Sequence, residues 1–146
     1  MSAPFEFCFP PEPEHLRAMR RLVRQRLGKD GVGDHAIEML LLVLDEIVSN
    51  AIEHGLTYRK LHDPLLVRVH RNGDAVELEF EDPETPVELV QKLKAILGTS
   101  GIDVPPIANE RGRGLFLVAA LLQDIRITIR THGGLRLTGR LPGVSA

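Results

Sequence analysis

Ile37, Leu40, Leu41, Leu44, Ile47, Val48 and Ala51 fall on one face of a helix at ~100° per residue, and no other segment of the chain is as strongly patterned. A stripe that wide has to be buried against a second layer. Asp34 is placed to cap this helix and Gly55 to end it. The partner layer follows directly, because from Leu65 the apolar period drops to two. Leu65, Val67 and Val69 alternate with polar residues, Asn72-Gly73-Asp74 makes a turn, and Val76, Leu78 and Phe80 resume the alternation, which predicts a hairpin.

The flanking segments complete the pattern. Phe5, Phe7 and Phe9 alternate with Glu6 and Cys8 before Pro10, Pro11 and Pro13, as an edge strand would. Leu16, Met19, Val23 and Leu27 give a first helix, with Pro13 suited to a first turn and Gly28 to the stop. Leu89, Val90, Leu93, Ile96 and Leu97 predict a short third helix. Gly98 to Gly114 shows little periodicity, and loops of that length are usually lids or binding loops. Leu115 to Leu122 reads as an apolar helix. Ile125, Ile127 and Ile129, a turn at His132-Gly133-Gly134, and Leu135, Leu137 and Leu141 predict a last hairpin. Helices and hairpins in this order point to an α+β fold, a two-layer α/β sandwich, and not to a βαβ parallel sheet.

Composition narrows the function classes. At 146 residues with 43% hydrophobic content, residues 1–146 read as one domain with its own core. The 20 acidic and 18 basic groups leave a net charge of −2, which argues against capture of nucleic acid by bulk charge. A single cysteine, Cys8, permits no internal disulfide and suits a reducing cytoplasm. No segment approaches the ~20 apolar residues of a membrane span, and the N-terminus lacks the marks of an export signal. The expected location is cytoplasmic, with no membrane partner.

Glu46, Asn50 and His54 form one polar row beside the apolar face of the second helix. A carboxylate one turn from a carboxamide can hold a water and a hard cation together, the asparagine as an oxygen ligand to Mg²⁺ and the glutamate as a base. A solvated helix face would show the same spacing. Gly112-Arg113-Gly114 stands before the apolar helix, where free N–H groups suit phosphate, although a tight turn would also explain the glycines. The spacing matches neither a Walker A loop nor a dinucleotide fingerprint.

Taken together, LDEIVSNAIEHG (Leu44 to Gly55), FEDPETPVEL (Phe80 to Leu89) and NERGRGLFLV (Asn109 to Val118) resemble the N, G1 and G2 boxes of the GHKL ATPases, in the same order and at matching intervals. Within that superfamily the chain looks most like anti-sigma-factor serine/threonine kinases of the RsbW type. The resemblance implies a Bergerat-type ATP-binding fold, with a mixed, mainly antiparallel sheet and helices on one face, and ATP and Mg²⁺ as cofactors. It makes Glu46 the general base and Asn50 the Mg²⁺ ligand, and Asp82 the acceptor for the adenine amino group. Gly112 and Gly114 become phosphate-contacting lid glycines, with Arg113 turned to phosphate or solvent. His54 and Gly55 match the end of the N box, and Gly98 to Arg111 would be the lid. The implied partners are a sigma factor, an anti-anti-sigma protein and a second protomer.

One position departs from the family pattern. Glu84 stands where a glycine normally lets the backbone approach the nucleotide, while Pro86 is a tolerated variant. A degenerate site of this kind leaves a second reading open, a nucleotide-free module that only binds partners. A histidine-kinase catalytic domain is disfavoured by the lack of a phosphoacceptor hairpin, and a general metal hydrolase by the paucity of ligands on the helix. Arg17, Arg20, Arg21 and Arg24 share one face of the first helix, which is either a solvated face or a dock for an acidic partner.

Overall fold

The computed structural model describes residues 3–97 and 110–145, and of residues 110–113 the backbone only. The order of elements is β1 (Phe5–Phe9), a 3-10 turn (Pro13–His15), α1 (Leu16–Lys29), α2 (Asp34–Tyr58), β2 (Leu65–Asn72), β3 (Ala75–Asp82), α3 (Val87–Leu97), α4 (Glu110–Leu121), β4 (Gln123–Ile129) and β5 (Leu135–Pro142). The strands form a five-stranded sheet in the order β1-β2-β3-β5-β4, so the Phe-rich strand lies at an edge as its prolines require. Among the described residues every pairing is antiparallel. No helix among the described residues is long and apolar enough to cross a membrane.

The pairing register divides the sheet into two faces. Val67 opposes Phe80, which opposes Leu137, which in turn opposes Ile127, and this row packs under the helices in the core. On the other face Glu6, Arg68 and Glu79 are neighbours across three strands. Alternation therefore sends every second side chain to the helical layer. The α2 stripe completes that core: Leu40, Leu44 and Val48 are fully buried, each worth ~1.5–3 kcal/mol of transfer free energy. Gly139, on β5, leaves room for Leu122, whose Cδ1 would lie 2.9 Å from an added Cβ.

Three boundaries differ from the sequence reading. The N-cap of α2 is Gly33, with Asp34 the first helical residue, where its charge favours the positive end of the helix. Gly55 does not end α2, which runs one further turn to Tyr58 and closes with the Arg59 N–H on the Gly55 carbonyl at 2.8 Å. Gly112-Arg113-Gly114 is not a loop before a helix but part of α4, which starts at Glu110. The N–H groups of the first four residues of α4, Gly112 among them, have no intrahelical partner.

The arginine stripe of α1 is half committed to the fold. Arg20 pairs with Asp45 at 2.8 Å and Arg24 with Glu38, both on α2. Among the described residues, Arg17 and Arg21 make no ion pair. Exposed bridges of this kind add ~0–1 kcal/mol each, so they orient the two helices more than they hold them together.

Candidate functional site

Glu46 and Asn50 project from the middle of α2 toward α4. The Glu46 carboxylate lies against Gly114, so closely that a Cβ there would collide with Oε2 and stand 3.2 Å from Cγ. Gly114 is thus required by the approach of a carboxylate, on the helix turn whose dipole favours negative charge. One turn along α2, the Asn50 amide nitrogen is buried and has no hydrogen-bond partner among the described residues. A buried, unpaired amide costs ~1–3 kcal/mol, which a bound acceptor would relieve.

Asp82, at the end of β3, is fully buried and closes a second cluster. Its Oδ1 accepts from Arg59 Nη1 at 2.9 Å and from the Glu84 N–H at 3.0 Å. Its Oδ2 accepts from Arg59 Nη2 at 2.6 Å and from the Tyr58 hydroxyl at 3.0 Å. Arg59 also donates to the Ala51 carbonyl at 3.0 Å, folding back along α2 to satisfy a helix carbonyl. That return path crosses Gly55, where any Cβ would strike the Arg59 Nε. Burial works against the Arg59 charge, but the hydrogen bond and charge of Asp82 outweigh it and raise its pKa. Burial, reinforced by the charge of Asp82 and opposed by the Thr85 contact, pushes the Tyr58 phenol up to about 12.

Glu84 faces away from this cleft. Its carboxylate accepts from the N–H groups of Leu61 at 2.8 Å, Lys60 at 3.0 Å and Asp63 at 3.2 Å, and lies 3.5 Å from Arg59 Nη1. Burial pushes its pKa up, yet those three N–H groups and the arginine together hold it below the usual carboxylate value. The residue that departs from the family pattern therefore anchors the loop after α2.

Between α2, α3, α4 and the sheet lies a largely apolar cavity of about 30 Å³, walled by Leu89, Leu93, Leu97, Leu115 and Phe80, with Asn50, His54, Tyr58 and Thr85 as its polar edge. Space of that size admits a water or two, so a planar base would enter only as the α3 leucines shift outward. A broader groove of about 460 Å³ crosses the opposite face of the sheet. Its floor is Arg68–Glu79–Arg136, whose charges already meet one another.

The structure thus brings Glu46, Asn50 and Gly114 together, and sets Asp82 behind Tyr58 and Arg59. Gly112 and Arg113 lie on the first turn of α4, their side-chain surroundings outside the described residues; of the expected lid, Gly98 to Arg111, residues 98–109 also lie outside them and residues 110 and 111 open α4. Sequence reasoning missed Tyr58 and Arg59. The available signal was that a helix running past Gly55 carries the chain's only tyrosine to the end of the polar row.

A family model described as a histidine kinase-like ATPase domain matches residues 9–139. Among curated relatives, the serine-protein kinase RsbW of Oceanobacillus iheyensis is 25% identical over 136 residues, covering 84% of this chain and 77% of the relative. The protein of that name from Listeria innocua is 25% identical over 129 residues, covering 81% and 74%. Of solved structures, the SiaB-SiaC complex from Pseudomonas aeruginosa shares the fold with a TM-score of 0.74 at 16% identity, over 94% of this chain and 88% of that one. The RsbU and RsbW domains of Rv1364c from Mycobacterium tuberculosis match at 0.63 and 18%, over 99% of this chain and 34% of that one.

Proposed function

The chain belongs to the histidine kinase-like ATPase domain family, and from that premise we propose that it is a cytoplasmic, ATP-dependent serine/threonine protein kinase that sequesters a sigma factor and phosphorylates an anti-anti-sigma partner. The observation that carries this reading is the seating of Glu46 against Gly114, one helical turn from an Asn50 amide nitrogen that is buried and, among the described residues, unpaired. Glu46 is the base that takes the proton of the acceptor hydroxyl. Asn50 holds the Mg²⁺, and the first turn of α4, with Gly112, Arg113 and Gly114, faces the phosphates. Mg²⁺ supplies charge neutralisation across the phosphates when bound. The unpaired Asn50 Nδ2 is a donor and fits a phosphate oxygen, while the Oδ1 of the same carboxamide is the atom that would hold the Mg²⁺.

A second reading keeps partner binding and drops the nucleotide. Two observations favour it: the cavity holds only about 30 Å³, and Asp82 is engaged on both oxygens by its own chain. Calorimetric titration with ATP, with and without Mg²⁺, separates the two. The kinase reading expects saturable binding that Mg²⁺ strengthens. No heat at millimolar ATP in either condition would leave the partner-binding module.

A further inference from the structure

We propose that the groove where the 3-10 turn and the start of α1 meet the last turns of α2 is a docking site for a basic amphipathic helix of a partner protein. The groove holds about 620 Å³, and Pro11, Pro13, Leu16, Ile52 and Leu56 give it a mostly apolar lining. Leu56 is 83% exposed and Leu61, on the loop after α2, is 75% exposed, more than any other large apolar residue among those described. Ile52, one turn before Leu56, is buried, so the two carry an apolar row from the core out to solvent. A single exposed leucine is ordinary, but one that continues a buried row along a concave apolar surface marks an interaction site.

Backbone chemistry selects a helix as the occupant. Pro11 and Pro13 have no N–H to give, and the N–H groups of Glu12 and His15 are already on the Pro10 and Glu12 carbonyls at 2.8 and 3.2 Å. An extended segment laid along that wall would find no ladder of partners. A helix satisfies its own backbone and enters with leucine-sized anchors at i, i+3 or i+4, and i+7. Charge then selects what flanks those anchors. The fully charged side chains in the lining are Glu12, Glu53 and Arg59, and Arg59 is enclosed and spent on Asp82 at 2.6 Å. Glu14 and His15 crowd Glu12, with one ligand atom from each within 4.8 Å of the others. Among the described residues the one ion pair of Glu12 is with His15 at 4.0 Å, and no lysine or arginine pairs with either glutamate. Glu12, by hydrogen bond and then by charge, raises the Glu14 pKa, as two carboxylates without a cation between them do. A lysine or arginine beside the anchors of an incoming helix supplies that charge. Docking of this kind needs no nucleotide and is compatible with both readings above.

The test titrates the full chain, without nucleotide, into a fluorescein-labelled model helix that has leucines along one face and lysines on its flanks, and into a counterpart with glutamate for lysine. Fluorescence anisotropy should show saturable binding of the lysine helix, roughly tenfold tighter than that of the glutamate helix. Leu56→Ser changes a side chain that is 83% exposed, so circular dichroism should stay native while the lysine helix binds roughly tenfold more weakly. Glu12→Gln combined with Glu14→Gln should bring the two helices toward equal affinity. A parent that binds both helices alike, or neither, overturns the proposal, as does a Leu56→Ser variant with parental affinity. Light scattering adds one further outcome: a parental dimer that Leu56→Ser turns into a monomer, with no uptake of either helix, assigns the groove to a second copy and equally overturns it. Failure here leaves the kinase reading standing, and failure of the ATP titration leaves the docking groove standing.

Discussion

The Glu46 carboxylate occupies the space that a side chain on residue 114 would need. This makes Gly114 a positioning residue for the proposed base. An alanine at 114 gains ~1 kcal/mol of helix propensity and loses ~1–3 kcal/mol to overpacking, so the fold should survive with little change in melting temperature. The carboxylate, however, must move. Displacement of a reacting group by about 1 Å costs on the order of 10²-fold, and Gly114→Ala should lower phosphotransfer by about that factor. A variant with parental turnover would detach Gly114 from the chemistry.

Glu46→Gln addresses the base itself. Shape and hydrogen-bonding capacity are retained and the proton acceptor is removed. Phosphotransfer should fall by ~10² to 10⁴ while ATP affinity and partner capture change little. Side-by-side rate and titration measurements on the purified variant decide the matter, and an unchanged rate would remove Glu46 from its role.

Asn50→Ala probes the other end of the pair. The buried amide nitrogen has no partner among the described residues, so its removal relieves an unsatisfied donor and should not destabilise the fold by more than the small cavity it leaves. Binding of Mg-ATP should weaken far more than binding of adenosine, because the amide lies at the phosphate end of the proposed site. Equal weakening of both ligands would point to distortion of α2 instead.

What the sequence made legible follows from what periodicity can carry. The α2 stripe and the β2–β3 alternation depend on near neighbours, and both elements lie where their patterns place them. Two glycines differ from their sequence pattern for a physical reason: Gly55 and Gly114 suggest a helix stop and a loop, but each makes room for a long charged side chain, Arg59 over one and Glu46 over the other. Nothing local distinguishes a glycine that ends a helix from one that lets a neighbour through. The Tyr58–Arg59–Asp82 cluster was equally hidden, since its bonds join residues 23 and 24 positions apart. Glu84 was visible as a departure, and only the fold reveals the N–H groups it serves.

Tyr58 offers a pH measurement free of interference. Its phenol is pushed up to about 12 from an ordinary 10.0, first by burial and then by the charge of Asp82. A raised folded value means stabilisation that is complete below the unfolded pKa and is lost as pH rises through the folded one, here between 10.0 and about 12. At pH 10, where half of an ordinary phenol is ionised, tyrosinate absorbance should be near zero while the far-ultraviolet circular dichroism stays native. Half-ionisation at that pH in the folded protein would contradict the enclosed phenol, and Asp82→Asn should move the midpoint downward.

Glu84 separates loop anchoring from nucleotide repulsion. Were its carboxylate in the cleft, Glu84→Gly would tighten Mg-ATP binding, most strongly at low salt. The carboxylate is instead bound to the N–H groups of Lys60, Leu61 and Asp63, so ATP affinity should not change with this substitution at any ionic strength. Stability should change. Releasing those groups to solvent and leaving Arg59 with one carboxylate fewer should cost about 1–3 kcal/mol in urea unfolding, with added backbone entropy from the glycine. The pH dependence fixes the cause. A depressed folded pKa gives stabilisation that is present above the ordinary value of 4.5 and lost as pH falls below it. The gap in stability between parent and Glu84→Gly should therefore be full at neutral pH and shrink through the acid limb, whereas a gap that stayed constant into acid would trace the loss to the backbone and not to the charge.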